Sequence, residues 1–245
     1  MRDEDFVAFL QWAMPQMGLR WAGFRKVRGQ VRKRVARRIA ELSLTGLEEY
    51  RDWLKTHPEE WSVLDAACRI SITRFYRDRA IWQFLESHLR APEVRGWSAG
   101  CAAGEEPYTL AILLRLAGRR YSILGTDTDA HQIERAWKAC YPAGSLRDLP
   151  PAWREAAFEP KGCLRAEFRA GVRFLLQDIR REMPEGPFDL ILCRNLVFTY
   201  FAEDIQLEIA SRLASRLAPG GFLVAGMHET APGFKRLAPG IFQPA

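Results

Sequence analysis

From Val94 onward the sequence alternates short apolar strands with helices, and this alternation restricts the fold more than any other feature. Strands are predicted at Val94–Ser98, Ser122–Thr126, Val172–Leu176, Phe188–Cys193 and Phe222–Gly226, and helices at 106–116, 130–139 and 204–217. Strands that return to one sheet through helices run parallel and leave helices on both faces, so an α/β, doubly wound, mostly parallel sheet is expected. Residues 145–171 break the rhythm. They are rich in Pro, Arg and Trp, and the alternation at Cys163–Phe168 predicts a small antiparallel β insertion there.

Residues 1–67 read instead as an all-α domain. Asp3 can cap a helix carrying Phe6, Leu10, Ala13 and Met17 on one face, with Pro15 ending or kinking it. Val27, Val31, Val35 and Ile39 recur every four residues as one narrow apolar stripe. Thr45 with Glu48 resembles a capping box, and His57-Pro58-Glu59-Glu60 is a further helix start. A linker and connecting helix, 68–93, follows, with Asp78 as the expected cap. The sheet domain then occupies 94–245.

The formal charge of +6 is unevenly held. Nine basic residues and no acid lie between Arg20 and Arg38, and the rest of the chain is slightly acidic. The five cysteines are odd in number, widely spaced and without a C-x-x-C pair, so neither a disulfide framework nor a zinc site is expected. The acidic start Met-Arg-Asp-Glu-Asp lacks the pattern of a secretory signal, and no apolar run nears the roughly 20 residues of a membrane span. A cytoplasmic protein without membrane insertion is expected.

The stretch Trp97-Ser98-Ala99-Gly100-Cys101-Ala102-Ala103-Gly104-Glu105-Glu106-Pro107-Tyr108 follows a predicted strand and opens a predicted helix, the place of a nucleotide-binding turn. Gly100 and Gly104 let the backbone turn sharply and approach a ligand. Neither G-x-G-x-x-G nor G-x-x-x-x-G-K-[ST] is present, and two carboxylates after Gly104 repel a phosphate. They suit an ammonium group. Asp127, 23 residues beyond Gly104 at the end of the next strand, can accept both hydroxyls of a ribose. Ribose plus amine without phosphate describes S-adenosylmethionine. Without Asp127, a plain tight turn and helix-start acids would account for the loop equally well.

At these residues the chain resembles the CheR-type chemotaxis-receptor methyltransferases, which methylate receptor glutamates. The resemblance rests on Ser71-Ile72-Thr73-Arg74-Phe75-Tyr76-Arg77-Asp78, Trp97 to Tyr108, Thr126-Asp127-Thr128-Asp129, Phe188 to Asn195, and Pro219-Gly220-Gly221-Phe222-Leu223. It implies a Rossmann-like class I methyltransferase domain using S-adenosylmethionine, yielding S-adenosylhomocysteine and needing no metal. Ser71 (where the family usually has Asn), Thr73 and Arg77 would close over the cofactor. Gly100 lies in the turn, Glu105 would meet the methionine moiety and Asp127 the ribose. Asp178 and Ile179 would flank the adenine, with Arg194 and Asn195 beneath the reacting methyl. Arg77 and Tyr200 are the candidates for orienting the acceptor.

The chain also departs from the family. Tyr200-Phe201 stands one residue late, so Thr199 competes with Tyr200 for the acceptor position. His228-Glu229 replaces Ser-Glu, and the final strand is short. These departures keep two alternatives open: an O-methyltransferase of another protein, peptide or small acid, and a non-catalytic cofactor-binding regulatory module.

A glutamate, with a reference pKa of about 4.3, is a nucleophile at neutral pH and needs no general base. Arg77 suits such an acceptor by bidentate hydrogen bonding, against the plainer reading of an ion pair with Asp78. Tyr200 reads equally as a core aromatic beside Phe198, and His228 as a structural residue at a strand end. The basic helix reads as a solvated face, a nucleic-acid surface or a dock for an acidic protein. The resemblance favours the dock, through Arg28, Arg32, Arg34, Arg37 and Arg38, with nucleic acid second. A monomer is expected.

Overall fold

The computed structural model describes residues 2–245 and divides into two compact units. One comprises residues 2–70 together with Thr199–Ile205, and the other Ser71–Phe198 with Gln206–Ala245.

In the first unit, α1 (Asp3–Ala13) runs into a 3-10 turn at Met14–Met17 that contains Pro15. There follow α2 (Trp21–Phe24), α3 (Arg28–Glu41), α4 (Leu47–Thr56) and α5 (Glu60–Cys68). The narrow stripe of α3 behaves as its spacing demands, with Val31, Val35 and Ile39 buried. Each such side chain contributes about 1.5–3 kcal/mol by leaving water. Phe9 of α1 meets Tyr50 of α4 with ring centroids 5.9 Å apart. The start of α4 differs from the expected capping box, because Glu49 rather than Glu48 accepts from the Thr45 amide, at 2.8 Å. A second passage of chain completes this unit. Leu19 and Phe201 form an antiparallel bridge, flanked by Arg20 N–H to Tyr200 O and Ala202 N–H to Gly18 O, each 2.8 Å.

The second unit opens with α6 (Arg79–His88) and then alternates β1 (Glu93–Ala99), α7 (Glu105–Leu116), β2 (Arg120–Asp127), α8 (Ala130–Lys138), α9 (Pro151–Ala157), α10 (Ala166–Arg169) and β3 (Val172–Leu176). After β4 (Phe188–Leu192) come α11 (Val197–Tyr200) and α12 (Glu203–Ala214), whose residues from Thr199 to Ile205 count with the first unit, and the strands β5 (Leu217–Val224), β6 (Phe234–Ala238) and β7 (Ile241–Pro244) close the second. The seven strands lie in the order β3-β2-β1-β4-β5-β7-β6, with β7 antiparallel to both neighbours and the others parallel. This is the expected Rossmann-like, doubly wound sheet. The order reverses beside β1, so the carboxyl ends of β1, β2 and β4 open one crevice. The short final strand is β7, whereas β6 escaped sequence reading because Lys235 and Arg236 interrupt a short apolar signal.

Two expectations are corrected here. No β insertion forms at 145–171. Pro150 and Pro151 start a helix instead, and only isolated bridges at Cys140–Cys163 and Phe158–Leu164 remain of the alternation. Its apolar residues Leu146, Leu149, Phe158, Leu164 and Phe168 serve the main core. Nor are all five cysteines free, since Cys140 and Cys163 are joined as a disulfide. The bridge that brings these two residues together spans 23 positions, a proximity no local spacing reveals. Among the described residues, no helix is long and apolar enough to cross a membrane.

Candidate active site

The turn between β1 and α7 is built by left-handed backbone at Gly100, Ala102 and Gly104, with φ of 73°, 46° and 90°. The amides of Gly100 and Cys101 both donate to Thr126 O, which ties the turn to the end of β2. Gly104 has no room for a side chain. A Cβ there would lie 3.0 Å from Ala136 Cβ and 3.1 Å from the Tyr141 hydroxyl. That hydroxyl donates to Ala103 O at 2.7 Å and supports the turn from outside.

Glu105, the first residue of α7, is 1% exposed. Ser145 Oγ donates to its Oε1 at 3.4 Å, while Oε2 has no hydrogen-bond partner. Burial raises the carboxyl above its ordinary range. A buried acid oxygen without a donor is costly unless a ligand supplies one. At the end of β2, the Asp127 carboxylate accepts from the Ala102 amide at 2.9 Å and the Asp129 amide at 3.0 Å, which fixes its plane beside the same turn. A tight glycine turn, an orphaned acid and an oriented aspartate fit a ligand with an ammonium group and a ribose. S-adenosylmethionine has both.

The remaining candidates separate into two groups. Ile179 is buried beside Asp178. Burial works against ionisation of Asp178, but the guanidinium and amide of Arg180 outweigh it and hold the carboxylate below its usual range. Asn195 sits in the left-handed region with φ 53°, its amide bonded to the buried Glu229 carboxylate at 3.1 Å. Ser71 and Thr73 are half-buried on the segment before α6. On that segment Arg77 donates to Ile72 O at 2.9 Å, and its approach to Asp78 is a long 3.9 Å. Arg194 is almost wholly buried and pairs with Asp78 at 2.6 Å and Glu106 at 2.9 Å. Asp78 makes no cap hydrogen bond to α6.

Tyr200 belongs to the helical unit, where its ring packs on Phe24 at 4.8 Å. Thr199 is counted there too, and its carbonyl accepts from Arg20 Nε at 3.1 Å. His228 is exposed while its neighbour Glu229 turns inward.

All five arginines of the expected dock have partners inside their own unit. Arg28 and Arg32 pair with Asp3, Arg37 with Glu41, and Arg34 donates to the carbonyls of Ala67 and Arg69. Arg38 holds buried Glu60 through two hydrogen bonds of 2.9 and 2.8 Å, and Tyr50 donates to the same carboxylate. Arg25, Lys26 and Lys33 are exposed and form no ion pair among the described residues.

Sequence reasoning passed over Ser145 and Tyr141, and it read Glu106 with Glu105 as suiting an ammonium group, whereas Glu106 pairs with Arg194.

The chain is similar to proteins already known. The family profile described as CheR methyltransferase, SAM binding domain, matches residues 71–243. A chemotaxis protein methyltransferase of Escherichia coli is 32% identical over 219 residues, covering 82% of this chain and 76% of that protein. One from Listeria innocua is 28% identical, covering 93% and 90%. Among solved structures, a SAM-dependent methyltransferase from Geobacter sulfurreducens with bound S-adenosyl-L-homocysteine aligns with a TM-score of 0.39 and 19% identity, over 71% of this chain and 55% of that one.

Proposed function

We propose, from the premise that the chain belongs to the CheR methyltransferase family, that it methylates carboxylates, namely glutamate side chains of a protein such as a chemoreceptor. The chain is a SAM-dependent methyltransferase, and its acceptor is the question. The observation that carries the cofactor reading is the buried, unpartnered Oε2 of Glu105 beside the glycine turn.

When bound, S-adenosylmethionine supplies an electrophilic methyl group on a sulfonium centre. Glu105 would hold the ammonium and Asp127 the ribose, with Gly100 and Gly104 allowing close approach and Ile179 covering the adenine. The chain's own task is then alignment and exclusion of water. A glutamate acceptor arrives ionised, so no proton has to be moved before attack. Arg77 can orient such a carboxylate with its guanidinium fork. Relatives named chemotaxis protein methyltransferases support a receptor as the acceptor.

For docking an acidic partner, the cations without internal partners, Arg25, Lys26 and Lys33, replace the five arginines first singled out. Arg28, Arg32, Arg34, Arg37 and Arg38 contribute to the field but are committed within the unit. A second acceptor class, a different protein or a small acid, is favoured by one observation: Tyr200 spends its ring on Phe24.

The test is methyl transfer from radiolabelled cofactor to chemoreceptor-bearing membranes. Label released by base as volatile methanol supports the glutamyl ester. Base-stable label in an amine refutes it, and label confined to other proteins or small acids selects the second class.

A further inference from the structure

Segment 71–78 is fastened to the sheet unit at points that no cofactor contact requires. The amide of Phe75 donates to Ser145 O at 3.0 Å and that of Tyr76 to Thr109 Oγ at 3.1 Å. The carbonyl of Arg77 accepts from Trp82 Nε1 at 2.8 Å and from Arg194 at 3.0 Å. Tyr76 and Asp78, the two neighbours of Arg77, are both non-glycine residues in the left-handed region, with φ of 58° and 61°. Such backbone persists only where its surroundings over-determine it.

The strongest of those surroundings is ionic. The Arg194 side chain is 4% exposed and lies between two carboxylates, Asp78 from the segment and Glu106 from the first turn of α7. Glu106 in turn accepts from Ser98 Oγ at 2.8 Å, at the end of β1. One buried guanidinium therefore joins the segment, the cofactor turn and the end of β4.

We infer that Asp78 and Glu106 are positioning residues: through Arg194 they fix the Tyr76–Asp78 turn and so aim Arg77, locking the acceptor-orienting segment to the same helix start that carries Glu105. The inference rests on the proposed methyl transfer for its kinetic consequence and on geometry alone for its structural one. Two acids on one base also make single neutralisations informative. Asp78→Asn and Glu106→Gln each leave Arg194 with one carboxylate, so neither strands a buried charge. Asn tolerates the left-handed backbone at position 78.

The test compares Asp78→Asn and Glu106→Gln with Asp189→Asn, which weakens a carboxylate-to-amide hydrogen bond (Arg95 N–H to Asp189, 2.7 Å) away from the segment. Hydrogen exchange of the full chain should speed up about tenfold or more at the Phe75 and Tyr76 amides in the first two variants and stay unchanged in the third. Affinity for S-adenosylhomocysteine, measured by calorimetry, should remain within about threefold. Methyl transfer to chemoreceptor-bearing membranes at saturating cofactor should fall about 10- to 100-fold, the scale of a misplaced reacting group. Unchanged exchange in both variants overturns the inference. So does a fall in transfer that Asp189→Asn reproduces at equal loss of thermal stability. If wild-type protein transfers no label, the proposed acceptor fails, and the exchange measurement still decides the clamp.

Discussion

Ser145 Oγ reaches one oxygen of Glu105 at 3.4 Å and leaves the other, inside the protein, without a donor. The ligand-free enzyme therefore holds an acid in surroundings that disfavour its charge. Glu105→Gln should raise ligand-free stability at neutral pH and weaken S-adenosylhomocysteine binding by about 10- to 100-fold, the worth of a charge-assisted hydrogen bond. The pH sign follows from burial. Because the folded carboxyl lies above its ordinary value of 4.5, its contribution is full below that value and is lost as pH rises through the folded pKa. The wild-type minus variant difference in melting temperature should decline over that window, and added S-adenosylhomocysteine should reverse the decline. A flat difference would refute the assignment.

Gly104→Ala and Gly118→Ala differ informatively. Both glycines have positive φ, 90° and 70°, but a Cβ at 118 meets nothing within 4 Å whereas at 104 it meets Ala136, Tyr141 and Phe174. Gly118→Ala should cost only the backbone penalty of about 1–2 kcal/mol. Gly104→Ala should cost more and weaken cofactor binding as well. Denaturant titration and calorimetry read the two effects, and equal losses would show that packing around the turn is not tight.

Cys140 is exposed and bonded to Cys163, which is half-buried. Reduction should lower stability by about 3 kcal/mol, given the length of the closed loop, and should make these two thiols available to an alkylating reagent. Cys68, Cys101 and Cys193 are buried, and burial pushes all three upward, Cys68 to about 12. Mass spectrometry of the native, reduced protein should find two labels, and five only after unfolding.

Arg38→Ala should destabilise the helical unit by about 2 kcal/mol, allowing for the partial exposure of Arg38, because buried Glu60 loses both hydrogen bonds from the guanidinium and keeps the one from Tyr50. Hydrogen bonding from Arg38 is the main reason the Glu60 carboxyl lies below its usual range. Its stabilisation is present above the ordinary value of 4.5 and is lost as pH falls through the lower folded value. The acid limb of the stability profile should flatten in the variant. Lys33→Glu should leave stability unchanged and reduce methyl transfer most strongly at low salt. An unaltered salt profile would remove Lys33 from the dock.

How much of this was legible in the sequence depends on the range of the interaction. The glycine turn, Glu105 and Asp127 follow from local backbone demands and from a spacing set by one strand and one helix, so they could be read directly. Arg194 could be singled out by its motif, but its partners Asp78 and Glu106 are 116 and 88 residues away, and pairing at that range leaves no periodic trace. Asp78 illustrates the difficulty. An aspartate before a helix reads as a cap, and only the fold shows it turned to an arginine. The basic helix poses the same difficulty, since a charge count does not reveal that Asp3 and Glu60 pair with its arginines.

The bridge between Leu19 and Phe201 bears on synthesis as much as on architecture. Arg20 finds its carbonyl partner at Thr199, 179 residues further along the chain. While the ribosome is extending the sheet, the first helices have no such partner to close on. The helical unit is thus completed only after β1 to β4 have been made, because the chain that closes it comes after those strands.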